Sequence, residues 1–224
     1  MEATSLFQKV ISKANNGHTE IGFPGKSYGE YANSGGTVFP LEIAFEGGRS
    51  LIRKNWSSND NIKIGSEILS INGVAMDEIL SDIYPLISAE RAYFKNAKLE
   101  LYSFPRYYWQ IYGKQDNFEV AINSNGLTKT YMVDAIDLIE GFEMKRTELI
   151  TSERKLKFIN ESAYIKPGNF SGDEEKYQKF IDSAFAEIKK RKSESLIIDL
   201  RNNGGGDDSF SDYLVSHFAN RPFK

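Results

Sequence analysis

Apolar positions recur at helical spacing near the start of the chain. Leu6, Val10, Ile11 and Ala14 follow Thr4 and Ser5, either of which can cap a helix, and Asn15-Asn16-Gly17 ends the run. The pattern predicts a short helix that delivers His18 to a loop. From Gly22 to Gly36 the chain is rich in Gly, Ser and Asn around Pro24, which predicts irregular connection. After Val38 the period shortens. Strands are expected at Phe39 to Phe45, Ser50 to Lys54, Glu67 to Ile71 and Leu99 to Phe104, with a helix from about Met76 to Ile87 carrying Ile79, Ile83, Leu86 and Ile87 on one face. Together they suggest a small, partly open barrel. Asn117 to Val133 alternates around Asn125-Gly126, a hairpin signal with one face left to solvent.

The last third changes to α/β. Ala163 to Ile165 is a short strand, and Lys166-Pro167-Gly168 breaks it. Ser171 or Asp173 caps a helix on which Tyr177, Phe180, Ile181, Ala184, Phe185 and Ile188 form one apolar stripe. Leu196 to Leu200 is expected to be a buried strand, and Phe210, Tyr213, Leu214 and Phe218 mark a helix from Asp208 to Ala219. The expected class is mixed, α+β grading into α/β. Three parts are expected: an N-terminal helix and loop (1–37), a small domain (38–115) and a partial core (116–224). A parallel sheet covered by helices needs several βα units, and only about one and a half are counted, so the sheet is expected to be unfinished at Lys224.

Composition narrows the chemistry. The 224 residues include 28 Lys and Arg against 31 Asp and Glu, so the net charge of -3 gives no reason to expect nucleic acid or an anionic membrane as partner. The absence of cysteine excludes disulfides, thiolate zinc sites and a cysteine nucleophile; with only two histidines, no metal is expected. No run approaches the roughly 18 apolar residues of a membrane span.

The richest constellation is Leu196-Ile-Ile-Asp-Leu-Arg-Asn-Asn-Gly-Gly-Gly-Asp-Asp208, in which a strand, three glycines and a helix start follow one another. Glycines permit close backbone approach and the first N–H groups of a helix lack intrahelical partners, so the run suits stabilisation of negative charge. Asp207 and Asp208 oppose a phosphate, and no Gly-Lys-Ser/Thr ending is present. Gly25-Lys-Ser-Tyr-Gly29 matches the Gly-x-Ser-x-Gly pattern, but Pro24 precedes it instead of a strand, which sets Ser27 aside. His217, beside the final stripe, reads as packing. The aromatic cluster from Tyr102 to Tyr112 reads as strand residues closing the small domain.

The Leu-Ile-Ile-Asp-Leu-Arg-Asn-Asn-Gly-Gly-Gly run resembles the signature strand and loop of the C-terminal processing protease and tricorn-core serine peptidases, family forty-one of the serine peptidases. The resemblance implies an oxyanion hole drawing on Gly204, Gly205 or Gly206, with Gly205 the preferred donor, and a ClpP- or crotonase-like core. Gly65-Ser-Glu-Ile-Leu-Ser-Ile-Asn-Gly73 resembles the turn and strand of a PDZ domain, with Ser66 in place of the usual Asp, and implies extended-peptide binding near Ile68 and Ile71. Asn16-Gly-His-Thr-Glu20 resembles an upstream element whose histidine serves as general base, making His18 the candidate. The alternative base is a lysine beyond Lys224. The family's nucleophilic serine lies at a later strand-to-helix junction, and no serine here matches it.

These resemblances imply a serine-type endopeptidase acting on polypeptide, without cofactor, represented by a chain that stops before its nucleophile and is inactive alone. They also imply export to the bacterial envelope or outside the cell. The rival reading is a non-catalytic peptide-binding or scaffolding protein with a degenerate core.

Overall fold

The structure, a computed structural model, describes residues 2–150 and 153–222; Phe223 and Lys224, where the unfinished sheet was expected to end, lie outside them. Packing divides the chain into two units, Met1–Thr147 and Glu148–Lys224.

The first unit begins with α1 (Glu2–Ile11), which forms where the spacing predicts but turns its polar side inward. Gln8 is buried, accepting from Gln110 Nε2 at 2.6 Å and donating to the carbonyls of Ile21 and Gly22, while Ser12 Oγ donates to Pro85 O at 2.7 Å. Leu6, Phe7 and Val10 stay 60 to 63% exposed. A buried amide network seats this helix, with Gln110 Oε1 left without a partner among the described residues. The segment expected to be irregular contains α2 (Gly25–Asn33). Tyr28 and Tyr31, one turn apart, pack on Trp109 with ring centroids at 5.1 and 4.9 Å, and this tertiary contact outweighs the poor helix propensity of Gly and Asn.

A short β1 (Thr37–Val38) precedes the main strands β2 (Leu41–Glu46), β3 (Arg49–Asn55) and β4 (Glu67–Ile71). Asn72 and Gly73, both at positive φ, turn the chain into β5 (Val74–Ala75) and α3 (Met76–Ile83), whose face Met76, Ile79, Leu80 and Ile83 is buried. Two further helices, α4 (Ala92–Tyr102) and α5 (Phe104–Tyr112), occupy the stretch where Leu99 to Phe104 was expected to be a strand. Phe104, Tyr107 and Tyr108 repeat at three to four, which suits a helix face. Ser103, at φ 99°, makes the corner and its Oγ accepts from Arg106 N. The aromatic cluster therefore lies on helices.

The predicted hairpin forms as β6 (Asn117–Ser124) and β7 (Leu127–Asp134), closing on Asn125-Gly126 with Ser124 opposite Leu127. It joins the preceding strands in the antiparallel order β2-β3-β4-β6-β7, with β5 hydrogen-bonded to β4. The sheet thus runs across residue 115. After β8 (Ile136–Asp137), which pairs with β1, a π-helical turn leads into α6 (Glu143–Ile150). Arg146 of α6 is buried: its Nε meets Glu42 Oε1 at 2.8 Å, and its Nη2 donates to Leu101 O. Burial raises the pKa of Glu42 and lowers that of Arg146, so for both groups desolvation outweighs the attraction between them.

The second unit has a three-stranded sheet of β9 (Lys155–Ile159), β10 (Ser162–Lys166) and β11 (Ser195–Ile198) in the order β11-β10-β9. β10 and β11 are parallel, joined by α7 (Glu174–Arg191), whose N-cap Asp173 accepts from Lys176 N. α7 and α8 (Asp208–Ser216) share one core: Tyr177, Ile181, Ala184, Phe210 and Leu214 pack with Ile165. The strand expected to be buried is half-exposed instead. Leu196 and Ile198 reach this core, while Ile197 and Leu200 each remain 47% exposed, because the helices cover a single face of the sheet.

Candidate active-site elements

The glycine loop of the second unit is built on the end of β11. Asp199 is buried on its carboxylate and accepts Arg201 Nε at 2.9 Å, Arg201 Nη2 at 2.8 Å and the Tyr164 hydroxyl. The Arg201 fork, then the Tyr164 hydroxyl, hold the Asp199 pKa well below the usual carboxylate range. Beyond this anchor the loop lies along the segment after β10. Asn203 Nδ2 donates to Gly168 O at 2.7 Å, Gly204 N to Asn169 Oδ1 at 3.0 Å, and Phe170 N to Gly205 O at 3.1 Å. Asp207 N returns to Phe170 O at 2.7 Å, and the Asp207 carboxylate caps α8 at Ser209 N.

The three glycines are not equivalent. Gly204 N–H is taken by Asn169, and Gly205 N–H is taken by Asn203 Oδ1 at 2.7 Å. The N–H of Gly206 has no partner among the described residues and lies at the surface. Gly206 sits at φ 139° with Phe170 O 1.9 Å from where a Cβ would be, so no other residue fits this backbone. Gly205, the donor preferred from the sequence, thus has its N–H engaged within the loop, whereas that of Gly206 is open among the described residues. Tyr164 was also missed, because a strand tyrosine carries no signal until its register against Ile197, two residues before Asp199, is known.

The anchor makes a titration prediction. The contribution of Asp199 is complete above the value of about 3.9 of an unfolded aspartate and fades as pH falls through its lower folded value. The loop should therefore be steady from neutral pH to about 4 and loosen below it. Tyr164→Phe should raise the Asp199 pKa, seen in its side-chain carbon shift. Losing one hydrogen bond, at about 1 kcal/mol, should speed amide exchange at Gly204 to Gly206 roughly fivefold. Unchanged exchange would show that Arg201 alone holds the strand end.

His18 belongs to the first unit. It is exposed in a turn where His18 N and Thr19 N both donate to Asn16 Oδ1, at 2.8 and 3.2 Å. The turn is clamped from α4 and its approach: Gly17 N donates to Glu90 Oε1 at 2.8 Å, and Lys98 Nζ reaches Gly17 O at 3.2 Å and Glu20 Oε2 at 2.5 Å. Ile68 and Ile71 lie inside the core of the same unit, at 1% and 0% exposure, where they support β4. His217 packs its ring 4.9 Å from that of Phe185 and faces Asp182 at 3.0 Å. Ser27 lies in the first turns of α2, without a strand ahead of it.

Residues 161–223, which include β10, α7, β11, the glycine loop and α8, match the model of peptidase family S41. The match covers this segment of the chain alone. The matched segment carries the Asp199 anchor and all three glycines. No curated protein matches the sequence. Among solved structures, the chain is similar to mature CPAF complexed with lactacystin (16% identity, TM-score 0.60, 95% of this chain and 49% of that one). Mature CPAF is similar to the same degree (16% identity, TM-score 0.58, 95% and 48%). At this identity the likeness is one of fold, and the chain spans about half the length of either CPAF chain.

Proposed function

We propose that this chain carries the oxyanion donor and the general base of a serine-type peptidase acting on polypeptide. The reading rests above all on the segment that matches the S41 model: a parallel strand ending in a pinned Asp199, then three glycines of which Gly206 lies against the Phe170 backbone, then a helix N-terminus. Gly206 is the donor we assign, since Asn169 and Asn203 hold the N–H groups of its two neighbours. His18 is the assigned base; its turn is fixed by Glu90 and Lys98, and imidazole is the side chain most often used to take a proton in such chemistry. In the reaction a serine hydroxyl adds to the scissile carbonyl, His18 takes its proton and later gives it to the leaving amine, and Gly206 N–H steadies the oxyanion. The serine is assigned to none of the motifs found here.

The turn and strand from Gly65 to Gly73, followed by α3, support a PDZ-like part that receives an extended peptide. β4 is flanked by β3 and β6, so a peptide strand would have to add at the outer strands β2 or β7.

The experiment compares the 224-residue chain with a protein read further along its gene, on an unfolded protein substrate, with a serine-directed fluorophosphonate as label and lactacystin as competitor. Cleavage and labelling are expected only in the longer protein, and His18→Asn should lower turnover about 10²- to 10⁴-fold. Cleavage by the 224-residue chain would mean that the nucleophile is misassigned. An inert, unlabelled longer protein would favour the scaffolding reading.

A further inference from the structure

The chain that carries His18 continues directly into the wall of a cavity. The cavity, about 220 Å³, lies within the first unit, and Glu20, Ile21, Gly22 and Phe23 form one side of it. Leu86, Ile87 and Tyr107 also line it and are all buried, whereas Ile21 at 39% and Tyr102 at 44% exposure are apolar side chains left open to solvent. Buried apolar surface with exposed apolar neighbours is the composition of a site awaiting an apolar group.

Its two charged residues already have partners. Glu20 is ion-paired with Lys98, and Arg106 is held by Glu143 through Nε at 3.1 Å and through Nη2. A charged guest would lose hydration without gaining an uncompensated counter-ion, whereas an apolar guest leaves both pairs intact. Volume agrees, because a cavity of roughly 150 Å³ lined by Leu, Ile and Phe admits benzene, so this one holds an aromatic or branched aliphatic side chain.

We infer that this cavity is the specificity pocket of the proposed peptidase, taking one large apolar side chain of the substrate close to the bond that is cut. The inference rests on the peptidase reading with His18 as base. His18 and Glu20 are two residues apart, a span of at most about 7 Å, and an extended substrate advances about 3.3 Å per residue. The side chain that enters is therefore within about two positions of the scissile bond.

The test uses N-acetyl-L-phenylalaninamide and N-acetyl-L-leucinamide as probes, with N-acetyl-L-lysinamide as control, followed through the methyl resonances of Leu86 and Ile87. The two apolar probes should give saturable shifts at least tenfold tighter than the lysine probe. A Cβ at Gly22 meets nothing within 4 Å, so Gly22→Leu can fold and crowd the cavity; it should weaken both apolar probes at least tenfold. Gly25→Leu, equally unobstructed and outside the lining, should not. Absent shifts, equal affinity for the lysine probe, or indifference to Gly22→Leu would overturn the pocket. In the longer protein, cleavage without preference for a large apolar residue within two positions of the cut would overturn it too, leaving the peptidase reading intact. Tight apolar binding with no cleavage by any form would sink the peptidase reading instead, and the specificity role with it, leaving only an apolar-probe site.

Discussion

Gly206→Ala is expected to destabilise the second unit by about 2 to 6 kcal/mol, the sum of backbone strain at a disfavoured φ and two lost hydrogen bonds. The added methyl would stand 1.9 Å from Phe170 O, a backbone atom with no side-chain freedom to yield. The bonds at risk are those of Phe170 with Gly205 O and Asp207 N, which hold the loop against the segment after β10. Gly205→Ala is the control. Its φ of 85° costs about 1 to 2 kcal/mol for an L residue, but the Cβ meets nothing within 4 Å. Urea unfolding of the two variants should place Gly206→Ala well below Gly205→Ala. Equal midpoints would mean that the loop can leave Phe170 freely.

Arg146→Ala is expected to cost about 3 to 5 kcal/mol in the first unit, because it strands a buried Glu42 and removes the donor at Leu101 O. Since burial already raises the Glu42 pKa, the sign of the pH effect is set. A carboxyl whose folded pKa is raised contributes most below its unfolded value and loses that contribution as pH rises through the folded one. Without Arg146 the raise should grow, so the variant should be least handicapped at acid pH. The double change Glu42→Leu with Arg146→Met should recover most of the loss, as apolar replacements of buried pairs do. Thermal unfolding at pH 4.5 and 7.5 reads both effects. A double variant no better than Arg146→Ala would show that the carbonyl of Leu101, and not Glu42, is what Arg146 serves.

The parts of this molecule legible in its sequence are those where one period prevails. The stripe from Tyr177 to Ile188 and the Asn125-Gly126 hairpin form as read, because burial and local preference agree there; the helix from Met76 forms too but ends at Ile83, four residues short of Ile87, where a 3-10 turn containing Pro85 follows. Misreadings cluster where they disagree. Leu99 to Phe104 has strand-like residues, yet Ser103 ends one helix and begins another, so the apolar run belongs to two faces. Gly25 to Asn33 has a loop composition, and the packing of Tyr28 edge-on and Tyr31 face-on against Trp109, more than 70 residues away, makes it a helix. In α1 the apolar stripe is real but faces out, since Gln8 finds Gln110 across the unit. For the candidate site, the motif located the glycine loop but not which of its N–H groups is left unpaired among the described residues. That distinction depends on Asn169 and Asn203, whose carboxamides become informative only when their partners are known.

The Glu42–Arg146 pair also has a consequence for synthesis on the ribosome. The two residues are 104 positions apart, and at roughly 5 to 20 residues per second Arg146 emerges about 5 to 20 s after Glu42. Throughout that interval β2 is available to pair with β3, but closing it into a dry core would bury a carboxylate with no partner. The nascent first unit must therefore keep this end of β2 wet, or hold Glu42 protonated, until α6 clears the exit tunnel, and a stall at which β7 has left the ribosome while Arg146 has not should yield a chain whose sheet forms while its core stays open to protease.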